Sequence, residues 1–109
     1  MARRIRRYDA HLVALDPVQG SEIGKTRPCV VVSPDEINST VRTVVIVPLT
    51  STRERYAFRV PSLFQGREGD LAIDHIRSID RGRLIRRLGP LDPVTGRLLA
   101  DALVEMFGF

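Results

Sequence analysis

Up to about residue 90 the chain consists of short β-branched runs separated by turn residues; beyond that point its apolar residues switch to helical spacing. This change of period restricts the fold more than any other feature. A period of two belongs to strands and one of 3.6 to helices, and neither pattern is stable in the other conformation. Strands are expected over Tyr8–Leu15, Pro28–Ser33, Arg42–Thr50, Tyr56–Val60 and Leu71–Ile73. A further strand is expected near Ile76–Ile79, and a last one over Arg83–Leu88. Asp16–Arg27 reads as a long polar loop because Pro17, Gly20 and Gly24 interrupt it, Pro34–Thr40 as a turn, and Ser51–Arg55 as a polar loop. Pro48, near the end of the strongest strand, suggests an edge or a bulge.

Val94, Leu98, Leu99, Ala102, Leu103 and Met106 recur at helical spacing. Asp92 suits the N-cap, Pro93 the first helical position and Gly108 the stop. The expected fold is one mainly β domain over residues 1–109: a small SH3-like barrel or bent antiparallel sheet with a C-terminal amphipathic helix. A domain of this size buries a modest core, so a second subunit would add to its stability, and the apolar helix stripe reads as core or as a dimer seam.

Charge narrows the partners. The formal net charge is +4, and Lys25 is the only lysine among 17 cationic residues. Arginine presents a planar fork of donors matched to phosphates, so a polyanion is favoured, with nucleic acid ahead of membrane. Cys29 is the single cysteine; it cannot close an internal disulfide, it lies in the apolar run Cys29–Val32, and it fits a reducing cytoplasm. The basic start is not followed by the apolar stretch of a signal peptide, and no run approaches a membrane span. His11 and His75 are far apart, no metal-ligand spacing is present, and no cofactor is expected.

Three segments stand out: Gly20-Ser21-Glu22-Ile23-Gly24-Lys25-Thr26-Arg27-Pro28, Val47-Pro48-Leu49-Thr50-Ser51, and Asp74-His75-Ile76-Arg77-Ser78-Ile79-Asp80 running on to Arg83. In this order they resemble the MazF/PemK (Kid) family of toxin ribonucleases, with its G-S-E-Q-x-G-x-R-P loop, hydroxyl-ended strand and D-Q-I-R-T-[IV]-D segment. The resemblance extends from about Tyr8 into the terminal helix. Ile23 stands where the family has Gln, with its glycine one place early at Gly24, and His75 replaces the Gln of the third motif.

The resemblance implies a MazF/CcdB-like fold and a metal-independent, sequence-specific endoribonuclease acting on single-stranded mRNA. It also implies a homodimer and a cognate antitoxin with an acidic segment. By position, Arg27 and Thr50 would be catalytic. Glu22, Lys25, Ser51, Thr52, His75, Arg83 and Arg86 are the candidate substrate contacts, and Arg87 adds to the same basic face. Glu22 would either pair within its basic loop or orient Arg27. Two other readings share the fold or the charge. A CcdB-like toxin poisons a protein target such as DNA gyrase without catalysis; it has no need of the Arg27 and Thr50 pair. A plain RNA-binding barrel would present exposed aromatic platforms, and aromatics are only 6% of this chain.

Overall fold

In the computed structural model, residues 4–52 and 56–109 are described. Met1–Arg3, at the start of the basic N-terminal run, and Arg53–Arg55, at the end of the expected Ser51–Arg55 loop, lie outside the described residues. The strands are β1 (Asp9–Ala14), β2 (Thr26–Val31), β3 (Thr43–Thr50), β4 (Arg59–Phe64), β5 (Arg67–Ala72), β6 (Arg77–Asp80) and β7 (Leu84–Pro90). A short helix α1 (Asp35–Thr40) lies between β2 and β3, and α2 (Pro93–Phe107) closes the chain. The strands pair antiparallel in the order β4-β5-β3-β2-β1-β7, with β6 also on β3. The sheet bends but does not close, so of the two expected forms the bent sheet is the one adopted.

β3 organises the sheet. One edge carries β2; the other carries β6 along Thr43–Ile46 and β5 along Leu49–Thr50. Pro48 falls between these two neighbours. It marks the change of partner in a central strand, not an edge, and a missing N–H is tolerated where one ladder stops and the next begins.

Both faces of the sheet are covered. Cys29 and Val31 pack on one side with Val13, Leu15, Val44, Ile46 and Ile79. Val30 and Val32 pack on the other with Val47, Val60, Leu71, Ile73 and Leu99. Burial on both sides explains why the Cys29–Val32 run is continuously apolar instead of alternating. Helix α2 lies over the second cluster through Leu99, flanked by the partly buried Ala102, Leu103 and Met106. Its start is capped as expected: the Asp92 side chain accepts hydrogen bonds from Thr95 N at 3.0 Å and Thr95 Oγ1 at 2.6 Å.

The local departures have physical causes. Pro34–Thr40 forms a helix because its polar side chains are held internally. Ser33 Oγ donates to Asn38 Oδ1 at 2.6 Å and Asn38 Nδ2 donates to the Ser33 carbonyl at 2.9 Å, so Asn38 is buried without penalty. The strand expected at Tyr56–Val60 begins only at Arg59, because Phe58 takes a left-handed φ of 67°. The β4–β5 hairpin, which the apolar pattern does not reveal, turns on Gln65 and Gly66 at φ 51° and 78°. Two adjacent left-handed residues match the twist of paired strands. β2 starts two residues before Pro28, so Arg27 is a strand residue, not a loop residue.

Cys29 is fully buried, and desolvation pushes its thiol up to about 12 against the opposing charges of Arg27 and Arg77. The folded state therefore holds this proton more tightly than the unfolded chain. That contribution to stability is intact below the ordinary value of 9.0 and is lost as pH rises towards about 12. Iodoacetamide at about pH 8 is expected to leave native Cys29 unlabelled and to label it fully in guanidinium; rapid labelling of the native protein would contradict a closed core.

Candidate active site

The β1–β2 connection is a hairpin loop over residues 16–25, anchored where Leu15 N donates to the Lys25 carbonyl at 2.8 Å. Gly24 sits close against two side chains of the same loop, which a larger residue would displace. A Cβ there would fall 2.5 Å from Asp16 Oδ1 and 2.7 Å from Val18 Cγ2. Lys25 sits at a left-handed φ of 65°. Glu22 Oε1 accepts from Gln19 N at 2.6 Å, so this carboxylate ties its own loop and does not orient Arg27. That task falls to the backbone: Arg27 Nε donates to the Gly24 carbonyl at 2.8 Å.

The strand register brings the loop to Thr50. Val30 pairs with Val47 and Cys29 with Pro48; continued by two residues, the same register sets Arg27 across from Thr50 on one face of the sheet. Thr50 is 8% exposed, and its Oγ1 accepts from Thr52 N at 3.2 Å. An accepting hydroxyl keeps its own proton for donation. Thr50 is also fixed from behind, because a Cβ on Gly69 of β5 would collide with the Thr50 carbonyl.

Two cavities meet at this pair. The first, about 680 Å³, is lined by Glu22, Lys25, Arg27, Thr50, Thr52 and His75 among the expected residues. The second, about 640 Å³, shares Lys25, Arg27 and Thr50 and adds Ser51 and Arg86. Leu12, Leu49, Phe64 and Leu88 give the second an apolar floor. Arg83 lines neither; its NH1 donates to the carbonyls of Ala14 at 3.0 Å and Asp16 at 2.7 Å, which holds the start of the loop. Arg87 pairs with the buried Asp9 at 2.7 Å.

One wall of the first cavity was not legible in the chain. Arg59 binds Asp74 through two hydrogen bonds, Nε–Oδ1 at 2.6 Å and NH2–Oδ2 at 2.9 Å, and lies 5.0 Å from the centre of the Tyr56 ring. The bound guanidinium holds the Asp74 carboxyl below the usual carboxylate range, and Asp74 in turn raises Arg59. His75 adjoins them: Nδ1 accepts from Ile23 N at 3.4 Å and Nε2 lies 3.5 Å from Asp74 Oδ2. An accepting Nδ1 assigns the proton of neutral His75 to Nε2. Tyr56 and Arg59 precede their partner by 15 or more positions, and nothing local in the sequence signals the contact; the motif residue Asp74 was the only clue. Among the described residues, no three His, Cys, Asp or Glu side chains are grouped to hold a metal ion.

Comparison with known proteins places the chain as a whole in a family. A family model described as PemK-like, MazF-like toxin of type II toxin–antitoxin system matches residues 6–107. The chain is 35% identical over 111 residues to the endoribonuclease MazF9 of Mycobacterium tuberculosis, covering 91% of this chain and 92% of that protein. It is similar to a crystal structure of MazF from Deinococcus radiodurans, with a TM-score of 0.86 at 25% identity over 99% of this chain and 100% of that one. An endoribonuclease in complex with its cognate antitoxin from a mycobacterial species shares the fold, with a TM-score of 0.80 at 22% identity over 96% and 98% of the two chains.

The close approach of Gly69 to Thr50 yields a test of how tightly the site is held. Gly69→Ala is expected to displace the end of β3 and slow turnover by about tenfold or more, because misplacement of a reacting group by about 1 Å costs up to 10²-fold. Stability should fall by roughly 1 to 3 kcal/mol, the usual cost of overpacking. Unchanged turnover at an unchanged melting temperature would show that Thr50 tolerates movement.

Proposed function

The chain belongs to the PemK-like, MazF-like toxins of type II toxin–antitoxin systems, and on that premise we propose that it cleaves single-stranded mRNA sequence-selectively at the Arg27–Thr50 pair. Its enzymatic class is that of its relatives: an endoribonuclease toxin. One observation carries the site assignment. Arg27 and Thr50 both line the two cavities where these meet, each held through backbone contacts that leave further donors for a ligand.

A scissile phosphate at this junction has a nucleoside on either side, and the two cavities suit the two neighbours. The RNA 2′-oxygen attacks the adjacent phosphorus, the bond to the 5′-oxygen breaks, and a 2′,3′-cyclic phosphate and a 5′-hydroxyl result. The proton lost from the 2′-oxygen balances the one gained by the 5′-oxygen. In between, the pentacoordinate phosphorus carries added negative charge on its oxygens. The Arg27 guanidinium and the Thr50 hydroxyl are donors suited to that charge, strongest when it is greatest. Arg27 stabilises charge; a guanidinium stays protonated in proteins and does not serve as a base. Lys25, Ser51, Thr52 and Arg86 line the two cavities as phosphate or sugar contacts. Glu22 supports the loop, and His75 faces the base from the first cavity. A non-catalytic toxin aimed at a protein would not require two preorganised donors in a polar cleft.

The partners follow from the same membership. A toxin of this type has a cognate antitoxin, and an acidic segment that fills the basic cleft would block it. We further propose a homodimer formed through the face of α2 that carries Val94 and Leu98, one turn apart and 71% and 51% exposed. Adjacent apolar side chains form a stripe that a second subunit would cover. No helix among the described residues is long and apolar enough to cross a membrane. A cytoplasmic location accords with the RNA substrate and with the buried, unpaired Cys29.

Light scattering at micromolar concentration is expected to report twice the chain mass, and Leu98→Asp to shift it towards the monomer. A fully active wild-type monomer would overturn the dimer. Arg27→Ala is expected to slow single-turnover cleavage by about 10²- to 10³-fold, roughly 3 to 4 kcal/mol, with the fold intact. Arg27→Lys should recover part of this, since an ammonium keeps the charge but loses the fork. Thr50→Ala should cost less. Binding to a 2′-deoxy analogue should change far less than rate in all three. Wild-type cleavage should persist in EDTA. An Arg27→Ala protein that stays folded and cleaves within about tenfold of wild type would remove the assigned site.

A further inference from the structure

At the end of β3 opposite to Thr50, a third concavity of about 660 Å³ opens between α1, the β6–β7 turn and the N-terminal segment. Its charged lining is Arg4, Arg42 and Arg81 against the single carboxylate of Asp80. We propose that it is a second phosphate-binding site, which holds the backbone of the RNA substrate several nucleotides from the bond that is cut. The proposal rests on the ribonuclease reading above and extends it.

The arginines are juxtaposed by the sheet. Thr43 pairs with Asp80, and one step further Arg81 N donates to the Arg42 carbonyl at 2.9 Å. Arg42 and Arg81 thus lie side by side just beyond the paired ends of β3 and β6, two like charges that an anion between them would relieve. Arg81 is preorganised. Its NH1 donates to the carbonyls of Asn38 at 2.6 Å and Val41 at 2.8 Å, so little side-chain entropy is lost when its other nitrogens bind a ligand. Ile5 is buried in the first core cluster and holds the exposed Arg4 at the rim. Asp80 offsets only part of the charge, and its Oδ2 already accepts from Gly82 N at 2.7 Å.

The lining favours RNA over an acidic protein segment. The only apolar side chain in it, Ile5, is 5% exposed, so the cavity lacks the apolar anchor on which peptide recognition usually depends. Guanidinium pairs around a polar floor match phosphate oxygens. Seven residues of β3 separate Thr43 from Thr50, about 23 Å at the rise of a strand. A short RNA that fills the two catalytic cavities does not reach this site, whereas a longer strand does.

The test uses the whole protein and 2′-deoxy-substituted, uncleavable RNAs of about 6 and about 25 nucleotides, the shorter within a single-domain footprint. The variants are Arg42→Ala, Arg4→Ala and the double mutant; Arg81 is left in place because its contacts support α1. For the double mutant, affinity for the long RNA is expected to fall about tenfold, and the slope of log K against log salt to flatten by about 0.7 to 1.4, the value for one or two lost single-strand contacts. Affinity for the short RNA, and its rate of cleavage in the cleavable form, should stay at wild type. Unchanged affinity for the long RNA overturns the proposal. So does an equal loss at both lengths, which would be a general effect of charge. So does loss of binding to an acidic antitoxin peptide with RNA binding intact. If the wild type cleaves neither RNA in its cleavable, all-ribose form, the ribonuclease reading fails, while the dependence of binding on length still decides the phosphate site.

Discussion

The hydrogen-bonded ladder between β2 and β3 is the constraint on which the other features depend. One register does two things at once. It packs Val30 beside Val47 inside the second core and, two residues beyond the last pair, carries Arg27 and Thr50 to the same two cavities. A slip of a single residue would move each β2 side chain into the opposite core and part Arg27 from the face that carries Thr50. Because Val30 and Val32 pack in one cluster and Cys29 and Val31 in the other, a slip would misfit both cores at once, and that packing guards the alignment. Fold stability and the geometry of the cleft are enforced by the same contacts.

A second principle governs the arginines. The chain is strongly basic, yet much of that charge is engaged within the fold. Arg77 donates to the Leu15 carbonyl at 3.1 Å and Arg83 to those of Ala14 and Asp16. Both belong to the third motif segment, and both grip the first residues of the loop that leads to Arg27. Arg87 neutralises the buried Asp9, and Arg59 neutralises Asp74. A guanidinium satisfies carbonyls and carboxylates without losing its charge. The motif residues Arg77 and Arg83 thus serve the site by fixing the loop, while Arg27, Arg86, Arg42 and Arg4 present charge to the outside.

The first cavity shows how polar contacts divide the work. Asp74 is bound by Arg59, Arg59 lies over Tyr56, and His75 spans Asp74 and Ile23. Together they form a stiff wall beside Arg27. Ile23 and His75, the two departures from the family pattern, touch one another across this wall. The bond is made by the Ile23 backbone N–H, so it does not depend on the side chain that stands at position 23.

Local pattern in the chain determined a good deal. The switch from β-branched runs to helical spacing required a sheet followed by α2, and Asp92, Pro93 and Gly108 set the bounds of that helix because capping is a local matter. Three ordered motifs singled out Arg27 and Thr50 as candidates, and the fold brings both to the same two cavities. The tertiary structure decided what depends on partners distant in sequence. The β4–β5 hairpin had no clear alternation, since Gly69 is required for closeness to Thr50 and Asp70 is buried at its end. Pro48 looked like an edge signal, but lies in the central strand where β6 gives way to β5. Glu22, left open between two roles, closes onto Gln19, and Arg83 holds a loop instead of lining a cavity. Periodicity and caps are read within a few residues along the chain, whereas register, ion pairing and the meeting of cavities are set by strands that find each other across tens of residues.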